Sequence, residues 1–100
     1  MAREIIWSPT AEEEKNNILR FWLIHNQSPN YSYKLDNKIN EAIELLPYYP
    51  FIGRKTNFGK ARLIIVDYCL VFYELTDTHV LILSIFDGRQ DPEKLKAQFE

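Results

Sequence analysis

The sequence has few of the residues that build covalent, metal and phosphate sites. It contains one cysteine, Cys69, so an internal disulfide is excluded. Its two histidines, His25 and His79, are far apart and lack partners at a zinc-ligand spacing. The three glycines do not form either phosphate-binding fingerprint. We therefore expect no metal ion and no cofactor, and we interpret Cys69, which lies in an apolar run, as a small buried hydrophobe.

Net positive charge and long apolar runs are also missing. With 12 basic and 14 acidic residues the net charge is −2, which gives no overall field that attracts nucleic acid. No apolar run approaches the roughly 20 residues of a membrane helix, and the first residues do not resemble a secretory signal. We expect a soluble, cytoplasmic protein without membrane contact. A length of 100 residues with 46% hydrophobic content indicates a single domain spanning residues 1–100.

Three apolar runs in the second half of the chain predict a sheet. They extend from residue 62 to 66, 69 to 75 and 80 to 86, and they are rich in Val, Ile, Leu, Tyr and Phe. Because only short polar breaks separate them, we expect an antiparallel meander. Both alternating sets of positions in the third run are largely apolar, which predicts a central strand.

Two Ser-Pro pairs predict the helices of the first half. A short strand over residues 3–7 precedes the first pair at 8–9, and the second pair stands at 28–29. Serine is a good N-cap and proline fits the first helical turn, so a helix should begin at each pair. Pro47 should end the second helix, which gives an antiparallel helical hairpin. Residues 91–99 carry the pattern of a short C-terminal helix.

Residues 47–61 form the one long stretch without a regular pattern. It carries two glycines and two prolines and has a length at which loops are often functional. Its aromatic side chains either plug the core under the loop or form a contact surface. We expect Phe51 and Phe58 to act as a plug, and both alternatives stay open for Tyr48 and Tyr49.

Positive charge is concentrated where the meander begins. Arg54, Lys55, Lys60 and Arg62 fall close together in sequence, and Arg89 follows the last strand. We hypothesise that Lys60, Arg62 and Arg89 surround one end of the sheet and bind an anionic surface. Arg54 and Lys55 would join them there. Three antiparallel strands start and finish at opposite ends, so this grouping requires a twisted sheet or a folded-back Arg89. The alternatives are solvated charges, or structural pairs with Asp87 or Glu74.

The order of these elements resembles the RelE/ParE family of toxins from bacterial type II toxin–antitoxin modules. The resemblance covers nearly the whole chain and lies in a set of local marks. These are Trp7-Ser8-Pro9 with Ala11, Pro50-Phe51-Ile52-Gly53-Arg54, Arg62, Val71-Phe72-Tyr73-Glu74 and the segment from Ile82 to Pro92. It implies an α+β fold of a strand, an antiparallel helical hairpin, a three-stranded antiparallel meander and a short C-terminal helix.

The resemblance also implies function. Some family members cut mRNA on the ribosome with basic residues and a Tyr or His near the C-terminus, whereas others inhibit DNA gyrase, and an antitoxin silences both kinds. Arg62 matches the arginine that opens the second strand of the family, and Arg89 the one that follows the last strand. No Tyr or His follows Arg89, and Asp87 stands where the family often has His. Proton transfer in RNA cleavage would therefore lack its usual groups.

We therefore favour the ParE side of the family: a plasmid-stabilisation type toxin that inhibits growth by binding DNA gyrase, in a hetero-oligomer with its cognate antitoxin when silent. The alternatives are a ribosome-dependent mRNA endoribonuclease, whose partners would be ribosome and mRNA, and a degenerate, non-toxic binding module; whether the chain is an enzyme stays open. The predicted target-binding residues are Lys55, Lys60, Arg62 and Arg89, the last three being catalytic if the protein is a ribonuclease. The predicted antitoxin-binding residues are Trp22, Tyr48 and Tyr49.

Overall fold

A computed structural model describes residues 2–25 and 29–90. Two helices pack on a five-stranded sheet of order β1-β5-β4-β3-β2, which confirms the predicted α+β fold. The elements are β1 (Glu4–Trp7), α1 (Pro9–His25), α2 (Pro29–Leu45), β2 (Arg54–Lys55), β3 (Arg62–Val66), β4 (Cys69–Leu75) and β5 (His79–Asp87). The predicted C-terminal helix at 91–99 lies outside the described residues.

Both helices begin at the proline of a Ser-Pro pair, as predicted. In α1 the Ala11 N–H donates to Ser8 Oγ at 3.0 Å, which satisfies one of the backbone donors left free at a helix start. The second helix ends at Leu45, two residues before Pro47. Neither described helix is long and apolar enough to cross a membrane.

The meander also agrees with the sequence pattern. The bounds of β3 and β4 are those of the first two apolar runs, and β5 is one residue longer at each end than the third. As predicted, β5 is central, because it pairs antiparallel with β4 and parallel with β1. The parallel pairing places the N-terminal strand beside the first half of β5.

A β-bulge in β5 is held by the start of α1. The register between β4 and β5 shifts by one residue, which leaves Leu83 as the extra residue of β5. The carboxylate of Glu14 accepts hydrogen bonds from Ser84 Oγ at 2.9 Å and from the Ile85 N–H at 3.2 Å. Ser8 Oγ donates to the Leu83 carbonyl at 2.9 Å. The start of α1 therefore contacts β5 beside the bulge through one backbone carbonyl, one backbone N–H and one side-chain hydroxyl.

The helices cover one face of the sheet. Between the helices and the sheet lies the main core, whose side chains come from both helices, from the turn after α2 and from three strands. These buried residues are Ala11, Ile18, Leu35, Ile39, Ile43, Leu46, Val66, Cys69, Val71, Tyr73, Val80, Ile82 and Ile85. A smaller cluster lies on the other face, around Leu63, Leu70 and Phe72.

The 47–61 segment differs from its prediction in two ways. It contains β2, which pairs with the start of β3. Phe51 and Phe58 are 64% and 53% exposed, so the predicted plug is wrong. The helices already fill the main core, and Phe58 only touches the rim of Phe72 on the outer face, with ring centroids 6.2 Å apart.

Candidate functional site

The sheet separates the two arginines that the sequence analysis placed together. Arg62 lies opposite Tyr73 near one end of β4, whereas Asp87 lies opposite Cys69 at the other end, and Arg89 follows two residues later. At about 3.3 Å per residue this register puts Arg62 roughly 13 Å from Asp87 along the strands, and Arg89 follows Asp87 in a turn at that far end. The predicted grouping is therefore wrong with respect to Arg89, because the chain crosses the sheet an odd number of times between them.

Three of the four other predicted cations do come together. Lys55 of β2 lies opposite Arg62 of β3, and with Lys60 and Phe51 they line a cavity of about 370 Å³. We call these four residues the Arg62 surface. Among the described residues that line this cavity, none carries a carboxylate. Arg54 points elsewhere and lines a different cavity, beside Leu63 to Val66.

Arg62 is held by neutral groups. One of its terminal nitrogens, Nη1, donates to the Gly53 carbonyl at 2.7 Å and to the Phe51 carbonyl at 3.4 Å. Its guanidinium also lies over the Phe51 ring, 5.0 Å from the centroid. These contacts fix the side chain without neutralising it, so its positive charge stays available to an anionic partner.

A buried tyrosine fixes the loop that carries Phe51. The Gly53 N–H donates to the Tyr73 hydroxyl at 2.9 Å, and that hydroxyl donates to the Pro50 carbonyl at 2.8 Å. Burial raises the pKa of Tyr73, although the Gly53 N–H and the charge of Arg62 act in the opposite direction. A side chain at 53 would collide with the ring, since an added Cβ would lie 2.5 Å from the hydroxyl oxygen. The Arg62 surface thus rests on a rigid support.

Arg89 lies in a different environment, which we call the Arg89 box. Its guanidinium is surrounded by the rings of Trp22, Tyr31 and Tyr68, at 4.1, 5.1 and 4.6 Å from their centroids. It donates to the Tyr31 hydroxyl, and its Nε is 3.5 Å from Asp87 Oδ1. Burial opposes the charge of Arg89, but the hydrogen bond to Tyr31 and the charge of Asp87 outweigh it and raise the pKa of the guanidinium.

Asp87 is the anchor of this box. Its side chain is fully buried. Oδ2 accepts a hydrogen bond from Trp22 Nε1 at 2.5 Å, and Oδ1 accepts one from the Arg89 N–H at 2.8 Å. Both carboxylate oxygens are therefore occupied, which favours the structural alternative for the Arg89–Asp87 pair over a role in recognition or proton transfer.

The predicted antitoxin residues also divide between the two ends. Trp22 is half-buried in the Arg89 box and contacts Tyr31 in the first turn of α2, whereas Tyr48 and Tyr49 follow the last turn of that helix. At 1.5 Å per residue the helix separates them by about 25 Å, so the three residues do not form one continuous patch, and their contact with an antitoxin stays a prediction. Tyr48 and Tyr49 are exposed at 71% and 61%.

Sequence reasoning missed two neighbours of these tyrosines. Phe51 and Ile52 are 64% and 67% exposed, and with Tyr48 and Tyr49 they form an apolar segment that we call the 48–52 patch. Its sequence signal is a run of large apolar residues interrupted by Pro50, where neither a helix nor a central strand could bury them. Exposed apolar patches of this kind mark interaction sites in soluble proteins.

Comparison with known proteins adds two findings to this geometry. The sequence matches the family described as "ParE toxin of type II toxin-antitoxin system, parDE" over residues 5–92. The fold is similar to a solved structure titled "Chromosomal ParDE TA system from P. aeruginosa", with a TM-score of 0.76 and 16% identity over 86% of this chain and 96% of that one. A search of curated proteins found no match.

Proposed function

The chain belongs to the ParE family of toxins of type II toxin–antitoxin systems, and from that premise we propose that it arrests growth by binding DNA gyrase. The contact is made by the Arg62 surface. An antitoxin silences the protein by covering the neighbouring 48–52 patch.

The observation that carries the proposal is the composition of the Arg62 surface. Three cations and an exposed aromatic ring line one cavity, and no acidic side chain lines it in the described part of the chain. Such a group can bind carboxylates or phosphates of a partner, and the ring supplies apolar contact area. Because Arg62 donates to carbonyl groups and forms no ion pair with another described residue, an incoming anion does not have to displace a carboxylate from that part of the chain.

The same surface is poorly equipped for RNA cleavage. Attack by a 2′-hydroxyl requires a proton acceptor and a donor within hydrogen-bond reach. The nearby Tyr73 hydroxyl is engaged by Gly53 and Pro50, and its pKa is raised rather than lowered. Asp87, the buried carboxylate, lies at the far end of the sheet. These features favour a toxin that acts by binding.

The antitoxin is proposed on the 48–52 patch. The similar structure from P. aeruginosa is titled as a toxin–antitoxin system, and the patch exposes four large apolar side chains within five residues. Tyrosine and phenylalanine side chains are enriched at the centres of protein interfaces. An antitoxin seated there would contact Phe51, which also belongs to the Arg62 surface, and so would block the target contact.

The test is a gyrase supercoiling assay with purified protein whose folding is confirmed by circular dichroism. We expect inhibition at micromolar protein, and we expect Lys60→Glu to weaken it about tenfold or more, because it places a negative charge among the cations. Arg20→Glu is the matched control, since Arg20 is an exposed cation on α1, outside the Arg62 surface. That variant should inhibit like the unmodified chain.

Two results would contradict the proposal. Folded protein that leaves supercoiling unchanged at micromolar excess would exclude gyrase as the target. Cuts confined to translated messages, seen by primer extension after induction, would assign the protein to the ribosome instead.

A further inference from the structure

The first strand leaves one side of its backbone open. β1 is the edge of the sheet, and its Glu4 and Ser8 N–H groups donate to the Thr78 and Ile82 carbonyls at 3.0 and 2.9 Å. Backbone groups alternate in direction along a strand, so those of the residues between, Ile5 and Trp7, point away from β5. No hydrogen bond joins these outward groups to any residue within 2–25 or 29–90.

Within the described residues this edge lacks the usual protection. Natural edge strands are shielded by prolines, lysines, bulges or a covering loop. The β1 sequence Glu-Ile-Ile-Trp contains one charge, Glu4, and the side chain of Ile6 is 45% exposed. Beside the strand lies a cavity of about 650 Å³, and no element between residues 2 and 25 or between 29 and 90 fills it. Pairing with a further strand would therefore bury apolar surface as well as satisfy backbone groups.

The cavity combines an apolar wall with an acidic rim. Ile5, Leu45 and Tyr48 supply the apolar side chains, and Glu41 and Glu44 supply the charge. The two glutamates are three residues apart on α2, so they lie on the same face of the helix, and both are exposed.

The one basic side chain among the described residues that line the cavity, Arg3, is bonded to a backbone carbonyl. Arg3 also lines it, but Arg3 Nε donates to the Thr76 carbonyl at 2.7 Å. Within residues 2–25 and 29–90 the cavity is therefore lined by two carboxylates and by one cation, and that cation already donates a hydrogen bond to a backbone carbonyl. The net charge of this cavity is negative and that of the Arg62 surface is positive, so the two surfaces suit different partners.

We propose that the open edge of β1 accepts an extended segment of a partner protein in which an apolar residue is flanked at i−2 and i+2 by Lys or Arg. The backbone of the segment pairs with Ile5 and Trp7. Its apolar side chain enters the 650 Å³ cavity, and its basic side chains lie beside Glu41 and Glu44. A second copy of this chain fits less well, since β1 itself supplies Glu4 and no lysine.

The site is independent of the proposed gyrase contact. β1 and β2 form the two opposite edges of the sheet, and Lys55 of the Arg62 surface belongs to β2. A partner strand on β1 would extend the sheet without covering Lys55 or Lys60. Failure of one proposal therefore leaves the other standing.

The test is an NMR titration of the full ¹⁵N-labelled chain with two short capped peptides, Lys-Val-Val-Val-Lys and Glu-Val-Val-Val-Glu. In an extended peptide the first, third and fifth side chains share one face, which places a valine between two charges. We expect the amide signals of Ile5 and Trp7 to shift and the lysine peptide to bind about tenfold more tightly than the glutamate peptide. The double variant Glu41→Lys/Glu44→Lys should prefer the glutamate peptide.

Glu13→Lys is the matched control, because Glu13 is an exposed helical glutamate that does not line this cavity. It should retain the preference of the unmodified chain. Equal affinity for both peptides, or no shift at Ile5 and Trp7, would overturn the proposal. Slow hydrogen exchange of these two amides in the free chain would also overturn it, because it would mean that the chain itself, or a second copy of it, already occupies the edge.

Discussion

The two ends of the sheet hold an arginine each, and they use it in opposite ways. At one end Arg62 is bonded to carbonyl oxygens and has exposed lysines beside it. At the other end Arg89 is enclosed by three aromatic rings and paired with the buried Asp87. An arginine side chain is therefore a surface charge where its partners are neutral carbonyl groups. It is part of an internal ion pair where its partner is a buried carboxylate.

The two arginines differ in the contacts that an anionic ligand would have to break. An anion approaching Arg62 adds to contacts with neutral groups, which persist. An anion approaching Arg89 would compete with a carboxylate that also accepts hydrogen bonds from Trp22 and from the backbone. Removing a buried charge from its partner is costly, so the Arg89 box is expected to resist ligand binding and to contribute stability instead.

The largest expected effect tests the structural role of the Arg89 box. Asp87→Ala should lower the free energy of unfolding by about 3 to 4 kcal/mol, because it leaves the indole N–H of Trp22 and the guanidinium of Arg89 without their acceptor. Urea unfolding followed by circular dichroism measures the loss. Lys38→Ala, which breaks the surface pair with Asp67 at 3.3 Å, is the control and should cost less than about 1 kcal/mol. Equal losses in the two variants would mean that the box is not a stabilising unit.

The next effect tests the rigid support under the Arg62 surface. Gly53→Ala should destabilise the protein by about 2 to 3 kcal/mol, since its Cβ would meet the buried Tyr73 ring. Gly59→Ala separates this clash from backbone strain, because Gly59 has φ of 57° and open space around it. Its cost should be about 1 kcal/mol. If the two variants unfold at the same urea concentration, the close approach of Gly53 to Tyr73 has no energetic weight.

The contrast also shows which features could be predicted from the sequence. The strands of the meander and the starts of the helices are local signals: apolar runs of fixed length and Ser-Pro pairs. The grouping of Lys55, Lys60 and Arg62 is nearly local as well, because β2 and β3 are joined by a short turn. Local patterns therefore predicted most of the fold and most of the Arg62 surface.

Long-range pairing explains what the sequence did not predict. The Arg89 box is assembled from α1, α2, the β3–β4 turn and the end of β5, and no spacing in the sequence connects Trp22, Tyr31 and Tyr68. The two-residue strand β2 exists because β3 lies beside it, since it has no apolar alternation of its own. The open edge of β1 likewise follows from its parallel pairing with β5.

The smallest expected effect compares one titrating group at each end as the pH rises. Burial, followed by the charge of Asp87, raises the pKa of Cys69 from 9.0 to about 12, and burial raises the pKa of Tyr73 above its ordinary 10.0. Because both folded-state pKa values are raised, each group stabilises the protein fully below its unfolded pKa, and this contribution is lost as the pH rises towards the folded value.

Between pH 8 and pH 10 Cys69 should therefore dominate the loss. One unit above its unfolded pKa of 9.0 the thiol contributes about 1.4 kcal/mol less to the free energy of unfolding. At the same pH the unfolded Tyr73, with its ordinary pKa of 10.0, is half ionised, which lowers the free energy of unfolding by only about 0.4 kcal/mol. Urea midpoints measured at pH 8, 9 and 10 should fall in the unmodified chain and in Tyr73→Phe, and should stay nearly level in Cys69→Ala. A level curve for the unmodified chain would show that the thiol ionises as easily in the folded protein as in the unfolded one, and that the interior beside Asp87 is open to water.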